Sequence, residues 1–109
     1  MATVYKVLGQ SNPAATTATS LYTVPASTSA VISTITICNQ TATAATFRIS
    51  VRPAGAVQTA AMYVAYDITV GASDTTALTL GLTLATTDVL TVYASTATLS
   101  FNAYGSEIS

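Results

Sequence analysis

The ionisable side chains of this sequence are too few and too scattered to assemble most catalytic sites. The 109 residues include three Lys or Arg, four Asp or Glu and no His. Nucleophilic catalysis needs a nucleophile beside a base, and Lys6, which has the only amine side chain, lies near the N-terminus. The acids are Asp67, Asp74, Asp88 and Glu107. Three of them fall in predicted loops or the C-terminal tail, so we expect no enzymatic activity and assign no catalytic residue.

The sequence also contains few side chains that could bind a metal or a cofactor. Cys38 is the only cysteine, which excludes an intrachain disulfide and a cysteine-based zinc site. Asp74 and Asp88 lie in predicted turns, where an aspartate supports the local backbone. A calcium site formed by those two loops is a minor alternative, because it needs about six to eight oxygen ligands. We expect no cofactor and no essential metal.

Two arginines and an aspartate stand out because they lie on outward faces of predicted strands. Arg48 and Arg52 share one face, and Asp67 lies in the next predicted strand. The simpler interpretation is a cross-strand ion pair between Arg48 and Asp67, of small energetic value on an exposed sheet. The alternative is contact with another subunit, since arginine is enriched at interfaces. Tyr63, beside Asp67, and Tyr104 also point outward, and tyrosine is a frequent contact residue.

The elements that carry these residues are short strands, because apolar and polar residues alternate. Residues 78–84, LTLGLTL, place leucine at every second position, the period of a strand with one buried face. Seven such segments follow residue 19, at residues 20–24, 30–38, 45–52, 62–70, 76–84, 89–95 and 98–104. Turn signals separate these segments, and no window has a helical period. Short strands in this arrangement indicate a sandwich or a small barrel. We predict a single-domain antiparallel β-sandwich, Ig-like or jelly-roll-like, with seven to eight strands.

The same alternation predicts the core. We expect eight large apolar side chains to be buried: Phe47, Ile49, Tyr66, Ile68, Leu80, Leu82, Val92 and Phe101. The alternation places Ala65 and Asp67 on the outward face. Gly105 is expected to end the last strand.

The composition also limits the partners. Hydrophobic residues make up 50% of the chain and charged residues 6%, with a net charge of −1. No apolar run approaches the ~20 residues of a membrane-spanning helix, and three basic residues leave no nucleic-acid footprint. We expect neither membrane nor nucleic acid as a partner. A surface of Thr, Ser and Ala loses little side-chain entropy on burial and suits permanent association, although the same hydroxyls could simply keep the protein soluble.

We divide the chain into an N-terminal arm and connector, residues 1–19, and a β-sandwich domain, residues 20–109. Residues 1–10 alternate only weakly, and an Ala- and Thr-rich stretch around Asn12 and Pro13 reads as a loop. Because this arm is the part least needed for the core, we expect it to reach a neighbouring molecule. The candidate residues for a subunit or partner interface are Tyr5, Val7, Leu8, Arg48 and Arg52.

Two stretches of the chain resemble small virion proteins of tailed bacteriophages. The first is LYTVP at residues 21–25 followed by AVISTITICN at residues 30–39. The second is LATTDVLTVYAS at residues 84–95 followed by LSFNAYGSE at residues 99–107. The resemblance covers most of the chain from Leu21 onward and consists of strands and turns, so it carries over no binding residue.

This resemblance implies a non-enzymatic structural role. Some proteins of this kind are similar to the cement or decoration proteins that sit on capsids as β-sandwich trimers. That similarity implies a homo-oligomer, most simply a trimer, bound to the major capsid protein on the capsid surface after assembly in the host cytoplasm. The alternative is a tail-fibre or baseplate module for host attachment, which would expose aromatic side chains near polar acceptors; this chain has no Trp.

Overall fold

Eight strands form two four-stranded sheets that pack face to face. A computed structural model describes residues 2–109, with strands β1 (Thr3–Ser11), β2 (Thr19–Thr23), β3 (Ser29–Asn39), β4 (Ala45–Arg52), β5 (Tyr63–Val70), β6 (Thr75–Leu84), β7 (Val89–Ala94) and β8 (Leu99–Ile108). Sheet A has the order β1-β8-β3-β6 and sheet B the order β2-β7-β4-β5. Every neighbouring pair is antiparallel. The predicted single-domain antiparallel β-sandwich is confirmed, with eight strands.

The segment between β4 and β5 contains the helical turns of the described residues. They are two single 3₁₀ turns, Pro53–Gly55 and Ala60–Met62. Over residues 2–109, no helix has the length and hydropathy that crossing a membrane requires. The segment folds over the outward face of sheet B, where Ser50 and Arg52 bond to it.

The core lies between the inward faces of the two sheets. Phe47 of β4 and Phe101 of β8 meet edge to face across it, with ring centroids 6.1 Å apart and ring planes at 76°. Fully buried aliphatic side chains from both sheets surround them, including Ile32, Ile35, Ile37, Ile49, Leu90, Val92 and Leu99. The predicted burial of Phe47, Ile49, Val92 and Phe101 is confirmed.

The predicted burial of Tyr66 and Ile68 in β5 is wrong. Ile68 keeps the inward side opposite buried Phe47 but remains exposed on this edge strand. Tyr66 is 56% exposed, whereas Ala65, predicted to face outward, is buried. The reason for the position of Tyr66 is the first of two irregularities in this ladder. Between the pairs Phe47–Ile68 and Ile49–Ala65, β5 has one residue more than β4, and Asp67 within this bulge has a φ of +51°. An extra residue moves the following side chains to the opposite face.

A second bulge corrects the prediction for β6. Leu80 is exposed rather than buried, while Leu82 is partly buried and packs against the core. β6 has one residue more than β3 beside this point, and Gly81 has a φ of +63°. Glycine adopts this left-handed conformation without the steric cost that other residues meet.

The last strand does not end at Gly105, so that prediction is wrong. β8 continues through Gly105 to Ile108. A Cβ atom at Gly105 would overlap the carbonyl oxygen of Val31 in β3. Gly105 therefore permits close approach of two backbones rather than stopping the strand.

Residues 3–11, which the sequence suggested as an arm, form the edge strand β1. It pairs with β8 from Thr3 opposite Ile108 to Ser11 opposite Phe101. Leu8, predicted as a contact residue, is instead buried with 9% exposure and belongs to the core. Leu8 follows the ordinary alternation of a strand, because Tyr5 and Val7 before it face outward and its own side chain therefore points inward. Contact between β1 and a second molecule stays a prediction.

All four edge strands carry a bulge. The extra residue lies on β1 and β6 in sheet A and on β2 and β5 in sheet B, never on the central partner of these pairs. Bulges twist an exposed edge away from the flat geometry that another chain would need to extend the sheet. The faces of the sandwich are thus the surfaces better suited to contacts.

Candidate functional site

A cluster of aromatic and charged side chains occupies the outward face of sheet B. We call Arg48, Tyr63, Tyr66, Asp67 and Tyr93 the tyrosine–arginine cluster. Arg48 of β4 lies directly opposite Tyr93 of β7, and the other three residues come from β5. The bulge at Asp67 is what turns Tyr66 to this face.

The cluster is held together by one ion pair and stacked groups. The Arg48 guanidinium donates from Nε to Asp67 Oδ1 at 2.7 Å and from Nη2 to Oδ2 at 3.3 Å. Its central carbon lies 4.2 Å from the ring centroid of Tyr66 and 4.5 Å from that of Tyr93. Tyr63 meets Tyr66 edge to face, with centroids 4.9 Å apart and planes at 81°. These contacts fix the rings on a surface where side chains are otherwise free to move.

The ion pair sets the electrostatics of the cluster. The hydrogen bond to Asp67 is the main cause that raises the pKa of the Arg48 guanidinium above its usual value, although desolvation opposes it. The Arg48–Asp67 ion pair predicted from the sequence is present. Both side chains remain partly exposed, so the pair organises the surface more than it stabilises the fold.

The segment between β4 and β5 forms a wall beside this cluster. Ser50 Oγ donates to Gln58 Oε1 at 2.6 Å. Arg52 Nη1 donates to the carbonyl oxygens of Gly55 and Ala56, at 3.3 and 3.2 Å, and its Nε donates to Thr91 Oγ1 at 3.1 Å. Arg52, a candidate interface residue, is thus engaged in anchoring this segment to its own sheet.

Two concavities meet at Gln58. The first, which we call the tyrosine basin, has a volume of about 470 Å³ and is lined by Gln58, Thr59, Ala60, Tyr63 and Tyr66. The second has a volume of about 230 Å³ and is lined by Ala18, Ser20, Arg52, Gln58 and Thr91. Both are lined by Gln58 and lie on the outward face of sheet B, and we call the second concavity the trough.

The opposite face of the sandwich carries an apolar patch. Tyr5, Val7, Val31 and Tyr104 line a concavity of about 490 Å³ on the outward face of sheet A. Tyr5 is 84% exposed, and Val7 and Tyr104 are also exposed. Val7 lies directly opposite Tyr104 in the β1–β8 ladder. Of the predicted interface residues, Tyr5 and Val7 are therefore together here, while Arg48 and Arg52 lie on the other face.

A polar link joins the two sheets at one side of the sandwich. Tyr22 Oη of β2 donates to Glu107 Oε2 at 2.5 Å, and Lys6 Nζ donates to Oε1 at 3.1 Å. The hydrogen bond from Tyr22, followed by that from Lys6, lowers the pKa of Glu107. Burial, followed by the contact with Glu107, raises the pKa of Tyr22. These groups satisfy one another within the fold, which suits a structural role.

The remaining acids support turns, as their sequence positions predicted. Asp88 accepts hydrogen bonds from the backbone N–H groups of Ala54 and Ala85, both at 2.9 Å. Asp74 Oδ1 accepts from the N–H of Thr75 at 2.8 Å. Among residues 2–109, no three His, Cys, Asp or Glu side chains come together as a metal site. The expectation of no metal and no cofactor stays a prediction.

Sequence reasoning placed Arg48, Asp67 and Tyr63 outward but missed Tyr66, Tyr93 and Gln58. Tyr66 was missed because a positive φ at a non-glycine residue such as Asp67 leaves no clear mark in the sequence. Gln58 lies in a segment without alternation, and its position depends on the hydrogen bond to Ser50. The only sequence signal for Tyr66 was its position next to Asp67 in a segment that otherwise alternates.

No protein-family model matches this chain, and no curated protein is similar enough to count as a relative. The resemblance to phage virion proteins stays a prediction.

Proposed function

We propose that this chain is a non-enzymatic structural protein of a bacteriophage particle, a cement or decoration protein that forms a homo-oligomer and stabilises the capsid. The observation that carries the proposal is the apolar patch of Tyr5, Val7, Val31 and Tyr104 on sheet A. The resemblance of the strands and turns from Leu21 onward to phage virion proteins is the reason for proposing a bacteriophage particle. A trimer with the major capsid protein as partner is the simplest assembly that the resemblance implies.

The patch suits contact with a protein surface. It combines two tyrosines and two valines with Ser33, Ser106 and one charged residue, Lys6, whose amine is paired with Glu107. The cores of interfaces are enriched in aromatic residues and depleted in charge. The surrounding Thr, Ser and Ala side chains are short, so little conformational entropy is lost when they are covered. Exposure of Tyr5 at 84% leaves most of its apolar ring area to be gained by burial.

The bulged edges favour association through this face. Extension of either sheet by a second copy would need a regular edge strand, and each edge strand is irregular. Closed assemblies of limited size avoid open-ended growth. Contact through a face, with protected edges, is the arrangement consistent with a ring of fixed subunit number.

The test is a double substitution, Tyr5→Ser with Val7→Thr. Both side chains point away from the core, so the fold should persist; deleting β1 would instead remove buried Leu8 and uncover β8. We expect loss of the oligomer by light scattering and loss of co-sedimentation with empty capsids made from the major capsid protein of the same genome. Val57→Ser is the matched control, because Val57 is 85% exposed but lies outside the patch.

Two results would contradict the proposal. One is a parent protein that is monomeric and does not sediment with capsids. The other is a double variant that assembles and binds as the parent does. Cryo-electron microscopy of the purified particle would show whether the protein sits on the shell or on the tail.

A tail-fibre or baseplate module for host attachment is the second candidate. The tyrosine–arginine cluster favours it, because exposed aromatic rings beside polar groups are the surface expected of an attachment module. Density for the protein on the tail, with none on the shell, would replace the capsid proposal with this one.

A further inference from the structure

We propose that the tyrosine basin on sheet B, with the trough that continues past Gln58, is a binding site for a neutral oligosaccharide. The basin is lined by Gln58, Thr59, Ala60, Tyr63 and Tyr66. The site is on the face opposite the apolar patch, so the inference does not depend on the assembly proposed above.

The size of the site fits a small ligand with more than one ring. The basin has a volume of about 470 Å³, within the range of roughly 300–1,000 Å³ typical of ligand sites. Beyond Gln58 the second concavity adds about 230 Å³. A chain of sugar rings could lie with one ring in the basin and the next in the trough.

The lining matches the two kinds of surface on a sugar. A pyranose ring has a face of C–H bonds, which packs on aromatic rings, and an edge of hydroxyl groups, which needs hydrogen-bond partners. Tyr63 and Tyr66 supply the rings, and their phenolic groups can both donate and accept. Thr59, Ser20 and Thr91 supply hydroxyl groups along the basin and the trough.

The charges of the cluster favour a neutral ligand. Asp67 neutralises Arg48 through two hydrogen bonds, and the guanidinium lies against the rings of Tyr66 and Tyr93. Arg52 is engaged with two carbonyl oxygens and a hydroxyl. In the basin, Arg48 therefore offers no free cation to a phosphate, a sulfate or an acidic sugar. Arg52 lines the second concavity instead, where it keeps its positive charge but has Nε and Nη1 occupied by its own segment and by Thr91.

The rings are fixed before any ligand arrives. The guanidinium holds the face of Tyr66, and Tyr63 meets that ring at 81°. Binding to side chains that are already ordered loses less conformational entropy. The outward position of Tyr66 depends on the bulge at Asp67, which has a positive φ.

A proline-rich peptide is the contrasting occupant, because such peptides also bind aromatic-lined grooves. Those grooves need aromatic side chains along their length. Here, of the two concavities, the two tyrosines line only the basin. The second concavity has no aromatic lining and is formed by Ala18, Ser20, Arg52, Gln58 and Thr91. A polar trough fits the hydroxyl-rich continuation of an oligosaccharide better than a row of prolines.

The test is a titration of ¹⁵N-labelled protein followed by amide chemical shifts. The probes are maltotriose, cellotriose and triacetylchitotriose, each taken to about 10 mM so that millimolar Kd values are detected. A polyproline peptide and inorganic phosphate are the contrasting probes. We expect at least one trisaccharide to shift the amides of residues 58–67 and of Tyr93, and neither contrasting probe to do so.

Variants connect those shifts to the basin. Tyr63→Ala and Tyr66→Ala should each weaken trisaccharide binding by about tenfold or more, as expected for a central aromatic contact. Tyr5→Ala is the matched control, because it removes an exposed tyrosine from the opposite face. Amide spectra of all three variants should otherwise match the parent, which would show that the fold is intact.

Each remaining outcome overturns the proposal. These are no basin shift with any of the three trisaccharides, shifts caused by the peptide or by phosphate instead, or undiminished sugar binding by Tyr63→Ala. None of these outcomes bears on capsid binding, which is measured on the other face.

Discussion

At the scale of single residues, all the charged side chains of this protein are engaged in hydrogen bonds. Seven charged side chains are present in the sequence, and each one bonds to a neighbour within residues 2–109: Lys6, Arg48, Arg52, Asp67, Asp74, Asp88 and Glu107. Their partners are other side chains or turn backbone. Charge therefore serves the internal organisation of the fold, and apolar and hydroxyl groups are left to form contacts with other molecules.

The Glu107 link predicts a specific acid sensitivity. Hydrogen bonds from Tyr22 and Lys6 lower the pKa of Glu107 in the folded protein, so the stability that they add is present above the unfolded value, about 4.3. It is lost as pH falls through the lower, folded pKa. We expect thermal melts at decreasing pH to show a smaller loss of stability in Glu107→Gln than in the parent. Parallel curves for the two proteins would contradict this assignment.

The same link predicts an alkaline limit. The pKa of Tyr22 is raised in the folded state, so its contribution is complete below the unfolded value, about 10. Stability should decline as pH rises above that value, because the unfolded chain releases the phenolic proton first. Chemical denaturation of Tyr22→Phe across this range should show a weaker decline; an unchanged decline would assign it to other groups.

At the scale of elements, bulges decide which side chains reach the surface. The extra residue on β5 turns Tyr66 outward, and the bulge of β6 lies at Leu80, which is exposed. The aromatic basin on sheet B therefore exists because the edge strand β5 contains a bulge. In β5, the same bulge makes the edge strand irregular and turns Tyr66 towards the basin.

Close backbone approach gives a test of one such element. Gly105→Ala places a Cβ atom where the carbonyl oxygen of Val31 lies, so the β3–β8 ladder must shift. We expect a loss of roughly 1–3 kcal/mol in the free energy of unfolding, as for other overpacked sites. Gly71→Ala is the matched control, because a Cβ there makes only ordinary contacts at 3.7 Å or more. Equal stability of the two variants would contradict the close approach.

The alternating pattern was sufficient to predict the strands but not the faces after each bulge. Residues 45–52 were predicted with their observed bounds, since regular alternation and a following proline mark them. Tyr66 was misplaced because an extra residue in β5 reverses the alternation there. Leu80 was misplaced because it lies within the bulge of β6, although Leu78 and Leu82 on either side pack against the core; both bulges depend on pairing with a distant strand. Asn39 was missed as a buried hub for the same reason: its amide bonds to Thr43, Val70 and Gly71, which only the folded chain brings together.

At the scale of the whole molecule, the core of the sandwich lies between two candidate binding surfaces, one on the outward face of each sheet. The apolar patch lies outside sheet A and the tyrosine–arginine cluster outside sheet B. Each face can be changed without touching the other, provided that the core between them persists. A protein held to a shell by sheet A would present the tyrosine basin to the surroundings.

The last prediction separates stability from association on a single strand. Phe101 and Tyr104 both belong to β8, but Phe101 is fully buried against Phe47 and Tyr104 lies in the apolar patch. Phe101→Ala should cost about 3–5 kcal/mol, a large part of the stability of a small domain. Calorimetry should then show a Tm lower by more than about 10 °C, or no folded state.

Tyr104→Ala should behave in the opposite way. Its ring contributes to an exposed face, so the Tm of the isolated subunit should change little, while light scattering should show a weaker oligomer. If Tyr104→Ala lowered the Tm as far as Phe101→Ala does, Tyr104 would belong to the core and the patch would lose its central ring. If it left both Tm and oligomer mass unchanged, the subunits would not associate through this face of sheet A, because Tyr104 lies directly opposite Val7 in the β1–β8 ladder.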